Sequence, residues 1–445
     1  METDFIINPV WREWTDSNLS PGEASAMAEL AIYLNGNCLT KNRNRIGQIQ
    51  ESVLVSVLPF AWWLCGNYWR ICHEPGLPPC VHVAELVLEN WRMAHCMLSI
   101  GDGYAWPDLT FFADGPSERI KSARQSEAEA AGQPLSYLRD LDGMCPRAEF
   151  VNAILGLLEA TAERAGSLEP DFASDWQQLA SELRNEATAN YRILEALLGR
   201  DAGYAPEALM NDFIAASSKV GWESLCEIAS GLNPVYGGSF ESQRQGLMRS
   251  LEASACGIAA TVNVPRPELA RGFPWQQGRE LAQKVRKLLG LGLDQPVTKK
   301  LLLNCLGLTA RRFAAIKTAG RLSLSKVNGQ KVSLVFPDHG TGRYLTSRLF
   351  QLARALGGML SLPSEEQALV MSASQRAQQQ IQRNFATEFL APLESVKAML
   401  PDRREPLKKD IEAIASHFQT SPQTIAHSLV NQGELAPLQA ERLLA

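Results

Sequence analysis

The spacing of apolar positions divides this 445-residue chain into stretches of different period. Ser52–Gly66 (SVLVSVLPFAWWLCG) is the strongest apolar run and holds Pro59. At about fifteen residues it falls short of the roughly 20 that span a bilayer, so it predicts a buried strand followed by a helix. Glu29–Thr40 is apolar on both sides of Asn35-Gly36, and Gly103–Ser122 repeats the device around Asp114-Gly115, so each predicts a hairpin. From Ala148 to Ala165, Asp175 to Gly199 and Pro206 to Gly231 apolar residues return every three or four positions, the mark of amphipathic helices. The turn formers of Asn233–Phe240 (NPVYGGSF) then read as a linker. Beyond them come a helix and a short helix over Pro274–Leu308, a hairpin around Asn328-Gly329, helices over Gly342–Leu360 and Ser374–Pro392, and two short helices around QTSPQ within Asp410–Gly433.

The expected architecture is α+β and mostly helical. It comprises an N-terminal α/β module with hairpins (1–145), a helical region (146–232), a linker and helix (233–271) and a C-terminal domain (272–445). Seven of the ten tryptophans lie in the first module, where they read as core and rim, with a ligand or partner groove as the alternative. The N-terminus has neither a basic region nor an apolar core of an export signal, which predicts a cytoplasmic protein with no membrane partner. Nine cysteines without regular spacing read as reduced thiols. Cys72, His73, Cys80, His82, His95 and Cys96 form the densest Cys/His cluster, but their spacing matches no zinc module and they read as buried thiols and satisfied histidines. No phosphate-binding loop or nucleophile-elbow motif is present, and no cofactor is expected.

Charge changes this picture in the last third. The net charge is −5, yet Arg266–Arg354 holds 17 Lys/Arg against 4 Asp/Glu, a local balance of +13. Lys284, Arg286, Lys287, Lys299, Lys300, Arg311, Arg312, Lys317, Arg321, Lys326 and Lys331 are the candidate nucleic-acid-binding residues, because clustered cations displace counterions from phosphates. An acidic protein partner, or neutralisation by the acidic remainder of the chain, would account for the same cluster.

Four blocks in order, beginning with GRELAQKVRKLLGL, resemble the ImmA/IrrE family of bacterial metallopeptidase-like proteins over about 160 residues, from Gly272 to near Gly433. Phe350, Leu352, Ala353, Leu356 and Gly357 match the frame of that family's metal helix, F-x-L-A-H-E-L-G-H. Phe385, Ala386, Glu388, Leu390 and Pro392 match its following helix. The resemblance places Arg354 and Gly358 at the two histidine positions, Ala355 at the general base and Gln379 at the third ligand. A zincin needs two histidines to hold zinc and a glutamate to deprotonate its water. Arginine is a donor without a free lone pair, and glycine and alanine carry no ligand atom. The degenerate metal-site positions therefore predict a pseudoenzyme without metal or catalytic residues. The resemblance implies a regulatory or scaffold protein of bacterial stress or defence that binds nucleic acid or a partner protein; the alternative is an enzyme with an unrecognised active site in residues 1–230. The helix pair Ile411–Leu429 has helix-turn-helix spacing, read either as a structural wing or as a DNA reader presenting Gln423, Thr424 and His427.

Overall fold

A computed structural model describes residues 4–15, 18–77, 83–125, 134–270, 272–338, 345–363, 368–401 and 406–444. It is α+β, with small antiparallel sheets and many helices, and it forms two compact units that divide between Met210 and Asn211.

The first unit contains β1 (Phe5–Trp11), α1 (Pro21–Ser25), β2 (Met27–Leu34), β3 (Asn37–Cys38), β4 (Asn42–Asn44), β5 (Ile49–Gln50), β6 (Val53–Ser56), α2 (Leu58–His73) and α3 (Glu85–His95). There follow β7 (Leu109–Asp114), β8 (Ser117–Ser122), β9 (Leu135–Tyr137), β10 (Leu141–Pro146), α4 (Arg147–Ala165), α5 (Pro170–Arg184) and α6 (Glu186–Leu197). The apolar run at Ser52–Gly66 is the expected strand and helix: β6 pairs with β2, and Pro59 sits in the first turn of α2, where its missing N–H is harmless. Phe5 of β1 packs on Phe150 of α4, ring centroids 4.9 Å apart, and on Phe111 of β7 at 6.2 Å. One continuous core thus joins the strands to helices α2, α4 and α5. The sequence-based boundary at 145/146 is not a seam, because those helices supply the apolar face that covers the sheet.

Two of the three hairpins turn one residue later than the Asx-Gly rule indicates. At Asn35-Gly36 both residues have positive φ, 51° and 73°, as a type I′ turn demands. In the β7–β8 hairpin Asp114 pairs with Ser117, leaving Gly115-Pro116 as the loop with positive φ (64°) only at the glycine. Proline cannot take positive φ, so the type II′ turn with glycine first is the compatible one.

The second unit begins within α7 (Glu207–Val220) and continues through α8 (Trp222–Gly231), α9 (Gln243–Ser254) and β11 (Ile258–Thr261). The supposed linker NPVYGGSF is built into it: Pro234, Val235 and Tyr236 form a buried 3-10 turn. The unit continues with α10 (Pro274–Leu288), α11 (Lys299–Cys305), α12 (Ala310–Ala314), β12 (Ser323–Asn328), β13 (Lys331–Leu334), α13 (Leu345–Ser361), β14 (Ala368–Met371) and α14 (Ala377–Leu390). Its antiparallel sheet runs β11-β13-β12-β14, so a strand assigned to the linker region is an edge of the C-terminal sheet. In the β12–β13 hairpin Asn328 pairs with Lys331, and Gly329-Gln330 form the loop. Helix α10 lies against α14 at Gly278, where an added Cβ would stand 2.4 Å from the Ile381 carbonyl. Last comes a bundle with its own core, α15 (Leu393–Met399), α16 (Lys408–His417), α17 (Pro422–Asn431) and α18 (Pro437–Leu444). Gln419, at φ 54°, makes the tight turn between α16 and α17, and Ser421 caps the latter. Among the described residues no helix is long and apolar enough to cross a membrane.

Candidate functional site

Helix α13 buries almost its whole C-terminal half, because the stretch from Leu349 to Ser361 is apolar or small apart from Gln351 and Arg354. Gly357 and Gly358 let the neighbours approach closely. An added Cβ would lie 2.4 Å from Phe385 Cδ1 at the first and 2.5 Å from Leu369 Cδ1 at the second. Arg354, one turn earlier than Gly358, is carried into the interior on this packed face.

The Arg354 guanidinium ends on a set of oxygens. Its Nη2 donates to the Ser372 carbonyl and to Gln379 Oε1, both at 2.9 Å, and reaches Gln382 Oε1 at 3.5 Å. Its Nη1 donates to Gln351 Oε1 at 3.3 Å. Gln379 also accepts from the Ser372 N–H at 2.9 Å, and its Nε2 donates to the Val370 carbonyl and to Glu227 Oε2, each at 2.9 Å. Glu227 Oε1 receives Arg376 Nε at 2.8 Å. Burial drives the Arg354 pKa down to about 9, and the nearby Arg383 charge pushes the same way. Burial likewise opposes the Arg376 charge, but Glu227 outweighs it and the group is raised. The amide of Gln379 therefore links a cation to an anion that are not in direct contact.

Of the positions singled out by the motif, the structure brings Arg354 and Gln379 into a hydrogen bond and sets Gly358 against Gln382. Ala355 is fully buried in the core. Hydrogen bonds join these side chains into one network, in which the buried Arg354 Nε is left without a partner. Among the described residues no three His, Cys, Asp or Glu side chains converge as a metal-binding group would. Glu227, Gln382 and Arg376 belong to this centre although no motif marks them. Glu227 lies 152 residues before Gln379, so only the tertiary fold joins them.

The candidate nucleic-acid-binding residues divide into two groups. Arg286 is buried, with Nη1 on the Phe389 carbonyl at 2.6 Å and Nη2 on the carbonyls of Gly292 and Gln295; it anchors a loop and is removed from the surface set. Lys284 is tied to the Glu268 carbonyl at 2.8 Å, Arg321 to the Tyr236 carbonyl at 3.3 Å, and Lys299 lies over the Phe313 ring at 5.5 Å. By contrast Lys287, Lys300, Arg311, Arg312, Lys317, Lys326 and Lys331 are exposed and make no ion pair among the described residues. The register sets Lys326, Asn328 and Lys331 on one face of the sheet, since Asn328 opposes Lys331 and alternate residues share a face.

Of the Cys/His cluster, Cys80 and His82 lie outside the described residues. His95 is buried and stacked on Trp91 at 4.3 Å, with Nδ1 on the Phe111 carbonyl at 2.7 Å and Nε2 on Glu74 Oε2 at 3.0 Å. Arg70 Nε donates to the same Glu74 oxygen at 2.7 Å. Burial opposes the Glu74 charge, but Arg70 and His95 outweigh it and hold the carboxyl down to about 2. Cys72 is fully buried, and burial raises its thiol well above the usual range. Arg70, Glu74 and His95 thus form a buried, mutually paired ionic group. Comparison with family models, with curated proteins and with solved structures finds no match to this chain.

Proposed function

We propose that the chain is a non-catalytic regulatory protein that binds nucleic acid through the basic surface of its C-terminal unit. The observation that carries this reading is the set of seven exposed cations from Lys287 to Lys331 with no ion pair among the described residues. Unpaired like charges at this density repel one another, and an anionic partner relieves that repulsion. A second line of support comes from the centre of α13. On the resemblance, Arg354 and Gln379 stand at two of the family's ligand positions; here they hydrogen-bond to each other, and a guanidinium cannot act as ligand or base.

The test is fluorescence anisotropy of the full chain with duplex DNA and single-stranded RNA over a range of salt. The log–log slope is expected at about −0.9 per neutralised phosphate on duplex DNA and about −0.7 on a single strand. Reversing Lys300, Arg311 and Arg312 to glutamate should weaken binding and flatten that slope. These side chains are exposed, so the fold tolerates the change. Undetectable binding at low salt, or binding indifferent to salt and to the triple reversal, defeats the proposal. Binding of an acidic polypeptide in preference to either nucleic acid reassigns the surface to a protein partner.

A further inference from the structure

Helices α15, α16 and α17 close on a core of their own, shared by Val396, Ile414, Phe418, Ile425 and Leu429. Between α16 and α17 stand only the four residues Phe418–Ser421, and Gln419 takes the positive φ (54°) for which glycine is usual. A helix, a four-residue turn and a second helix on a shared core are the parts of a DNA-reading pair, in which the second helix turns its N-terminal half to base edges. That face of α17 is free. Gln423, His427 and Asn431 recur four apart and so form one stripe; all three are exposed, and none of their side chains is hydrogen-bonded among the described residues. Thr424 is held at the cap, its Oγ1 3.0 Å from Ser421 Oγ. From Pro422 to Gln432 the chain has no Asp, Glu, Lys or Arg. A merely solvated helix face carries charges of both signs, whereas uncharged amide and imidazole groups both donate and accept, as base edges do. The cations stand beside the stripe: Lys408 and Lys409 in the first turn of α16 are exposed and unpaired among the described residues. Of the neighbouring acids, Glu434 is paired with Lys397 and Asp410 caps the Leu407 N–H, which leaves Glu412 on α16. His417 Nε2 donates to the Asp294 carbonyl at 2.7 Å, which docks α16 on the loop after α10, the helix whose last turn carries the exposed Lys287.

We infer that α17 enters the major groove of duplex DNA and reads base edges through Gln423 and His427. The inference rests on the basic surface proposed above for its affinity and adds sequence discrimination to it. An α-helix with its side chains is about 10–12 Å across, and the major groove of B-DNA is about 12 Å wide. The amide of Gln423, in the first turn, matches adenine in two bonds: Nε2 donates to N7, and Oε1 accepts from the N6 amino group. His427, one turn further, offers a ring nitrogen to a neighbouring base pair. Lys408 and Lys409 serve as phosphate contacts, because the first helix of such a pair crosses the DNA backbone. The major groove of A-form RNA is too deep and narrow for side chains to read, so this face selects DNA. Uncharged readers release no counterions, so their loss changes the preference among sequences and leaves the salt dependence to the cations.

Selection by the full chain from a duplex DNA library with a randomised core, at low salt, should enrich a short consensus that contains an adenine. Discrimination is then read by fluorescence anisotropy as the ratio of affinities for the selected duplex and a scrambled one, in which phosphate contacts cancel. Gln423→Ala and His427→Ala alter exposed side chains, so an unchanged thermal melt is expected for each, and each should lower the ratio about fivefold or more. Replacing the consensus adenine by 7-deazaadenine, which deletes the major-groove N7 acceptor, should lower the ratio of the parent and leave that of Gln423→Ala where it was. No enrichment, a ratio unchanged in both variants, or a parent indifferent to the loss of N7 overturns the inference. The two proposals fail separately. Duplex bound without preference, or single-stranded RNA bound ahead of every duplex, overturns the reading helix and leaves the basic surface standing. A sequence preference whose affinity survives reversal of Lys300, Arg311 and Arg312 overturns the basic surface and leaves the helix.

Discussion

Replacing Arg354 by methionine separates two effects that the buried centre of α13 holds in opposition. The guanidinium is 3% exposed, and burial takes its pKa from the ordinary arginine range down to about 9. At about 1.4 kcal/mol per pKa unit, that gap corresponds to a penalty of about 5 kcal/mol for keeping the charge in the folded state at neutral pH. Opposing this relief is the removal of the guanidinium's hydrogen bonds. Gln379 Oε1 keeps the Ser372 N–H, so the main buried acceptor left without its donor is the Ser372 carbonyl, at a cost of about 1–3 kcal/mol, and the longer contacts to Gln351 Oε1 and Gln382 Oε1 are lost with it. Methionine fills most of the arginine's path with a flexible apolar chain. Arg354→Met should therefore be at least as stable as the parent at pH 7. Arg354→Ala, which opens a cavity, should be less stable than the methionine variant by about 3 kcal/mol. The sign with pH follows from linkage. The folded pKa is depressed, so from about 9 up to the ordinary arginine range the unfolded chain binds more protons and the parent gains stability as pH rises. The methionine variant lacks this dependence, and its advantage should shrink by about 1.4 kcal/mol between pH 7 and pH 10. Urea denaturation of the parent and both variants at these two pH values measures it. A methionine variant less stable than the parent by about 3 kcal/mol at pH 7, or a difference that ignores pH, refutes the reasoning.

Gly278→Ala should cost about 1–3 kcal/mol, because the new methyl meets the Ile381 backbone of α14 at 2.4 Å and a carbonyl cannot move aside; thermal melting reads it, and an unchanged midpoint would contradict the close helix contact. Glu74→Gln removes the carboxylate between Arg70 and His95 and should destabilise by about 3–5 kcal/mol in denaturant titrations. Because the folded carboxyl is held down to about 2, the stabilisation is present above the unfolded value of 4.5 and disappears as pH falls from there toward 2, so parent and variant should converge over that interval. Limited proteolysis followed by mass spectrometry should leave the bond after Tyr236 intact under conditions that cleave exposed loops, since Pro234–Tyr236 are buried; early cutting there would restore the linker reading.

Local pattern reported what depends on neighbours a few residues apart. The apolar run before His73 gave a strand and helix, and the three- and four-residue spacings gave amphipathic helices. The long stretch Asp175–Gly199 is nevertheless two helices, since Asn185 caps the second through its side chain on the Thr188 N–H. Asn35-Gly36 turned where expected because both residues accept positive φ; Gly115-Pro116 and Gly329-Gln330 did not, because strand register placed the glycine first in the loop. The absence of ligand and base types at Arg354, Ala355 and Gly358 was likewise legible from residue chemistry alone. What that arginine does instead was not legible. Its partners come from Ser372 just after β14, from α14 and, through Gln379, from Glu227 on α8, and no spacing rule reaches across 152 residues. The same holds for Arg286, which reads as one cation among eleven until the fold buries it under Phe389 and the Gly292 loop. Composition counts charges, whereas burial and hydrogen-bond partners decide which of them face solvent, and those are set only when distant segments pack together.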